Sequence, residues 1–217
     1  MEEQKEHLQA LSDIRSMMER SSRFISLSGL SGVFAGIFAL IGAYLAHLKL
    51  CAYLVDYRKA YSYIGDRNTE YDASPVGLLI YLFTVAAAVL AASLIVGVVL
   101  TMRNSKKRGI KTWDSTAKRL LINLIIPLVT GGLFCLILLY RGDIGLVAPA
   151  TLIFYGLALF NASKYTLNDI RYLGICEIIL GLISTFYTGY GLYFWALGFG
   201  VLHIMYGAVM YFKYERN

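Results

Sequence analysis

From Val76 to Leu100 the chain carries no charged residue, and from Phe24 to Ala46 the same is true. A helix needs about 20 residues to cross the roughly 30 Å of hydrocarbon in a bilayer, so stretches of this length admit few folds outside a membrane. Lipid offers no partner for backbone N–H and C=O groups, which leaves helices or a closed barrel. The long uninterrupted apolar runs read as helices. Composition agrees: 58% of the residues are hydrophobic and 16% charged, against about 45–50% and 25% in soluble domains.

Six spans are expected, at about 24–48, 76–101, 120–140, 144–161, 169–188 and 192–212. The second opens on Ser74 and Pro75, a capping residue followed by one that suits a first helical turn. Pro127 with Gly131 and Gly132 in the third, and Pro149 in the shorter fourth, predict interrupted helices of the kind that line transporter sites. Thr166 and Asp169 have capping-box spacing at the start of the fifth. Only "TGYG" separates the fifth from the sixth, so these two are expected to form an antiparallel hairpin. The fold class is therefore all-α: a polytopic bundle of six transmembrane helices, residues 24–212, preceded by a cytoplasmic helix at 1–23. In that first segment Leu8, Leu11, Ile14 and Met18 form an apolar stripe on a charged background. The stripe suits packing on the protein's own loops, the membrane surface, or a protein partner.

Orientation follows from the basic residues. Of the 20 Lys and Arg, only Lys49, Arg58, Lys59, Arg67 and Arg141 fall on the face opposite the termini. Positive charge near span ends is retained in the cytoplasm, so both termini are expected inside. The chain resembles small multi-pass proteins of the bacterial inner membrane, and that resemblance implies the same membrane here. The same bias accounts for the net charge of +6 and for the basic stretch around Arg103, Lys106, Lys107 and Arg108, which also suits anionic lipid headgroups. Nucleic acid is not an expected partner, because Trp113 is the only aromatic in that run. The opposite face carries one sizeable loop, 49–75, where Tyr53, Tyr57 and Tyr61 at i, i+4 and i+8 predict that the first helix continues past the bilayer.

Catalytic and metal signatures are missing from the sequence. Cys51, Cys135 and Cys176 are isolated, the three histidines fit no metalloprotease spacing, and neither a nucleophile elbow nor a phosphate-binding loop occurs. No cofactor and no metal is expected. "NAS" at Asn161 matches a glycosylation acceptor, but the orientation places it inside.

The informative pattern lies within the spans. Ser28, Gly32 and Gly36 are four apart, and such small-residue lines let another helix backbone approach closely. Packing within the six-helix unit is the expected use of that line, a homo-oligomer contact the alternative. In the fifth span Gly174, Glu177, Gly181 and Ser184 share a face, so that Glu177 points into the bundle, as intramembrane carboxylates do. Gly200, His203 and Gly207 repeat the spacing in the sixth. A carboxylate and an imidazole on facing grooves are able to share a proton. Counting about 1.5 Å per residue from the inner ends puts the two about 6 Å out of step, however, and leaning apart. Asn123 or a water is then an alternative partner for Glu177.

Three functions are compatible with these features. The first is a small-molecule or ion transporter with Glu177 and His203 at its site. The second is a regulatory or assembly subunit of a membrane complex. The third is a lipid-modifying enzyme embedded in the membrane, although the chain lacks the density of His, Asp and Glu that such enzymes carry near one interface.

Overall fold

The structure is a computed structural model that describes residues 28–62, 75–107, 109 and 113–216, without the side chains of residues 56, 57, 59–62 and 75. The expected helix at 1–23, the start of the first span at 24–27 and the loop residues 63–74 lie outside the described residues. The described chain is all-helical, with no strand among the described residues.

In chain order the elements are α1 (Gly29–Ser62), α2 (Pro75–Lys107), α3 (Ser115–Arg141), a 3-10 turn (Ile144–Leu146), α4 (Val147–Ala162), a second 3-10 turn (Ser163–Tyr165), α5 (Asp169–Phe186), a third (Thr188–Tyr190), α6 (Gly191–Trp195), a π-helical segment (Ala196–Leu202) and α7 (His203–Tyr214). Five stretches are long and apolar enough to cross a membrane: Gly29–Val55, Val76–Lys107, Ser115–Arg141, Ile144–Tyr165 and Thr188–Tyr214. The remaining long helix, α5, carries Asp169, Arg171 and Glu177 within its 18 residues.

Local chemistry sets the helix ends. Asp114 caps α3, its carboxylate accepting the N–H of Ala117 at 2.7 Å. Gly142 ends α3 at φ 82°, a left-handed conformation that suits glycine, and its N–H bonds the carbonyls of Leu138 and Leu139. Pro75 is the first residue of α2, where its missing N–H costs nothing. Asp169, in the first turn of α5, links two helices. Its carboxylate accepts from Lys213 Nζ at 3.0 Å and from the Tyr214 hydroxyl at 2.8 Å, tying the start of α5 to the end of α7.

Neither prolyl-containing helix is interrupted. α3 runs unbroken through Pro127, and Pro149 sits in the first turn of α4, where no intrahelical bond is lost. The irregularity falls in the last span, which passes from α6 through the π-helical segment into α7. α1 continues as a helix to Ser62, well past its apolar part, as the tyrosine spacing predicts.

Two helix pairs make the centre. α4 and α5 form the most extensive pairing, and α1 runs along α7 and the π-helical segment. α2 leans on α1 and α3 on α4, flanking this centre. The turn Thr188–Tyr190 reverses the chain, so α5 and the stretch from α6 to α7 are antiparallel and are clamped at their far ends by the Asp169–Lys213 ion pair. The carboxylate of Glu215 accepts from Ser28 Oγ at 3.0 Å and from the N–H of Gly29. It therefore occupies the positive end of the α1 helix dipole.

Candidate functional site

Both central pairs are held by glycine. A Cβ built on Gly36 would lie 2.6 Å from the carbonyl oxygen of Gly200, and one on Gly32 would lie 3.2 Å from Gly207 Cα. Ser28, at the head of the same line, bonds Glu215. On the other side a Cβ on Gly156 would meet the Gly174 carbonyl at 2.6 Å, and one on Gly181 the Pro149 carbonyl at 3.0 Å. In each pair the backbones touch where side chains would otherwise intervene.

The two grooves expected to face each other therefore do not. The Gly200 and Gly207 groove is filled by α1, and the Gly174 and Gly181 groove by α4. Glu177 and His203 meet nonetheless. The reason lies in the π-helical segment, whose wider turn lets the His203 backbone stay against Gly32 of α1 while its imidazole reaches across to α4 and α5. Glycine at 198 supplies the space: a Cβ there would lie 2.5 Å from Glu177 Oε2 and 2.5 Å from Leu152 Cδ2.

Around His203 the hydrogen bonds define a tautomer. Nδ1 is 3.0 Å from the Gly198 carbonyl oxygen, which can only accept, so Nδ1 carries a proton. Nε2 is 2.7 Å from the Tyr155 hydroxyl, and in the neutral imidazole it accepts the hydroxyl proton. Glu177 Oε1 lies 3.4 Å from Nδ1, making a longer contact with the proton that Gly198 already shares. Tyr155, Phe199 and His203 pack ring against ring, with centroids 4.9 to 5.9 Å apart, and Trp195 extends the cluster through Phe199 at 4.9 Å.

Burial gives the site its character. Glu177 is 0% exposed and His203 6%. Neither carboxylate oxygen of Glu177 has a hydrogen-bond partner among the described residues, and the hydroxyl of Ser184, seven residues along the same face of α5, is likewise buried and unpartnered. Most buried polar groups are satisfied. Among the described residues the other such exception is the Ser105 hydroxyl of α2, so Glu177 and Ser184 place two of the three residues concerned on one face of α5.

Of the residues singled out in the sequence, Glu177 and His203 come together and Asn123 does not join them. Asn123 lies on α3, where its side chain donates to the Arg119 carbonyl at 2.8 Å and accepts from Asn161 Nδ2 at 3.1 Å. Two contributors went unread in the sequence. Gly198 looks like one more glycine among 20, and Tyr155 like one more tyrosine among 17. The signal that favoured Tyr155 was its place next to Gly156, which brings α5 close. Among the described residues no group of three or more His, Cys, Asp or Glu gathers in a way that would hold a metal ion. Comparison of the chain with family models, with curated proteins and with solved structures finds no match in any of the three.

Proposed function

We propose that this chain is a multi-pass protein of the bacterial inner membrane, with six spans and both termini in the cytoplasm, that moves a small molecule or ion through a site built on Tyr155, Glu177 and His203. The observation that carries the reading is Glu177: a carboxyl group without exposure and, among the described residues, without a hydrogen-bond partner for either oxygen, at mid-length of α5. An isolated buried carboxylate is costly, and in membrane proteins such groups mark ion and substrate pathways. The π-helical break beside it adds support, since single π turns recur at functional sites.

Topology has support of its own. The start of α1, the start of α5 and the end of α7 sit together through Glu215 and Asp169, as six alternating spans require. α5 then counts as a span despite its charges, because Glu177 is shielded by α4 and α7 and because Asp169 and Arg171 stand at the helix end. The basic residues Arg103, Lys106 and Lys107, with Arg108 beyond them, are positioned by this topology to meet anionic headgroups of the cytoplasmic leaflet.

Transport by the protein reconstituted in vesicles tests the reading. Uptake driven by a pH gradient or a membrane potential is expected, and Glu177→Gln is expected to abolish it while the variant still purifies as a folded protein. Undiminished flux in Glu177→Gln would exclude this site. Orientation has a separate check: a membrane-impermeant thiol reagent on intact cells should label the exposed Cys51 and spare the buried Cys135. Labelling confined to Cys176 would reverse the topology.

A further inference from the structure

We propose that the ion bound at this site is a proton, held by the Glu177 carboxyl, and that His203 passes its presence or absence to the Gly198 carbonyl in the π-helical segment. The proposal rests on the transport reading for its physiological use, but the binding chemistry stands on the geometry alone.

Consider first which ion fits. A hard metal cation takes about six oxygen ligands or more. Here a Cβ placed on Gly198 would lie 2.5 Å from Glu177 Oε2, 2.5 Å from Leu152 Cδ2 and 3.2 Å from Leu180 Cδ2, which puts aliphatic carbon beside the carboxylate, and among the described residues no group of three or more His, Cys, Asp or Glu could hold a metal ion. The Gly198 carbonyl oxygen already accepts from His203 Nδ1. Both imidazole nitrogens are engaged, one by Gly198 and one by Tyr155. A proton requires a single oxygen and no coordination shell, and it leaves an uncharged acid among leucines. Binding is simple addition: the carboxylate gains H⁺ from the aqueous phase, an O–H bond forms, and the net charge of the site rises from −1 to 0.

The groups able to influence that proton are few. From α4 only Tyr155 faces Glu177, and from α7 only His203; the π-helical segment Ala196–Leu202 contains no titratable residue. Tyr206 of α7 is occupied with Cys176 on α5, at 3.7 Å between hydroxyl and sulfur. Asp169, Lys213 and Tyr214 lie at the end of the helices, bonded to one another. No fixed cation faces the Glu177 carboxylate among the described residues, so the proton on His203 Nδ1 is the donor within reach.

That proton has two acceptors. The nitrogen that carries it, Nδ1, lies 3.0 Å from the Gly198 carbonyl oxygen and 3.4 Å from Glu177 Oε1. A charge-assisted bond is about twice as strong as a neutral one, so ionised Glu177 draws the Nδ1–H to itself and frees the Gly198 carbonyl. Protonated Glu177 leaves it with Gly198, the shorter of the two contacts. Gly198 lies in the π-helical segment, whose Phe199 packs on Trp195 of α6, and which packs on α1. Proton binding on α5 is thereby coupled to the backbone of the last span, the kind of local change that alternating access requires. Ser184, unpartnered and buried, is about 10 Å along the same face of α5, and continues a polar line toward the opposite end of the helix.

The test is spectroscopic and needs no transport substrate. Infrared difference spectra of the full chain in phosphatidylethanolamine and phosphatidylglycerol nanodiscs, stepped in pH, should contain one carboxylic C=O band that grows on acidification and is missing in Glu177→Gln. Its midpoint should not move when sodium replaces potassium. In protein labelled with ¹⁵N-histidine, the Nδ1 resonance of His203 should shift with the same midpoint and lose that shift in Glu177→Gln. Should Glu177→Gln fail to fold, Glu177→Asp and His203→Gln serve instead: the first moves the band, and the second keeps it while changing its frequency. A spectrum with no band attributable to Glu177, or a midpoint set by sodium, overturns the proposal. Flux without a titrating band would leave the transport reading intact and remove the proton; a titrating band without flux would do the reverse.

Discussion

Glycines in α2 and glycines in the central helices show how one residue type serves two purposes. In α2, Gly77 and Gly97 have nothing within 4 Å of the place a Cβ would occupy, and Ser105 is the one buried residue described on that helix. In α1 and α7, the same construction at Gly36 and Gly207 runs into backbone at 2.6 Å. Both helices are apolar enough to cross a membrane, and hydropathy does not separate them. What separates them is spacing. In α1 the line continues at 28, 32 and 36 and meets a second line at 200 and 207, whereas the two glycines of α2 have no counterpart on a neighbour. A helix without such a line, such as α2, packs on its neighbour through side chains and stays largely exposed, which suits lipid; a helix with one is committed to close backbone contact. The difference also explains where the polar site can be. Glu177 and His203 need helices close enough to exclude lipid, and only the glycine-packed centre provides that.

Replacing glycine by leucine in the two regions is the strongest way to break this contrast. Gly207→Leu would drive a side chain into Val33 N and Gly29 O, at 2.6 and 2.7 Å from the Cβ position, and should cost about 3 kcal/mol or prevent folding. Gly32→Leu and Gly36→Leu should follow it. Gly97→Leu should change stability by no more than about 0.5 kcal/mol. Thermal unfolding in detergent measures both, and equal losses at Gly207 and Gly97 would mean that the Gly97 face of α2 is also in close backbone contact.

A smaller effect belongs to Gly198. A methyl group there displaces either the Glu177 carboxylate or the Leu152 side chain, each 2.5 Å from the Cβ position. Gly198→Ala should cost about 1 to 3 kcal/mol by overpacking, set against up to about 1 kcal/mol gained from helix propensity. It should also disturb the site out of proportion to its effect on stability. A variant with wild-type flux would show that the carboxylate does not need that space.

A smaller loss than at the glycine contacts is expected at the end of the bundle. Glu215→Ala removes the carboxylate that bonds Ser28 and the Gly29 N–H, and should cost about 1 kcal/mol, the usual value of a helix cap. Because this contact joins the start of α1 to the end of α7, the loss should fall as salt is raised in the wild type and be insensitive to salt in the variant. An unchanged unfolding temperature would mean that the glycine contacts alone hold the pair.

Much of this was determined by the sequence itself. Apolar length fixed the helical class and five of the stretches able to span a membrane, since a run such as Val76–Leu100 has no other way to satisfy its backbone. The spacing of Ser28, Gly32 and Gly36, and of Gly174, Glu177 and Gly181, identified helix faces that must be in contact, because helical periodicity is local. The identity of the partner of each face is a different matter. It depends on which groove fits which, and here tertiary packing decided: the Gly200 and Gly207 groove went to α1 and the Gly174 groove to α4. Proline spacing misled for a related reason, since Pro149 in a first turn loses no bond and Pro127 is accommodated within α3. The π-helical turn has no local signature in "ALGFGVL", yet it rotates His203 from the groove it shares with α1 toward Tyr155 and Glu177. Three helices distant in sequence thus place one hydroxyl, one imidazole and one carboxyl in a chain of contacts, an arrangement set by long-range packing, on which no local spacing rule bears.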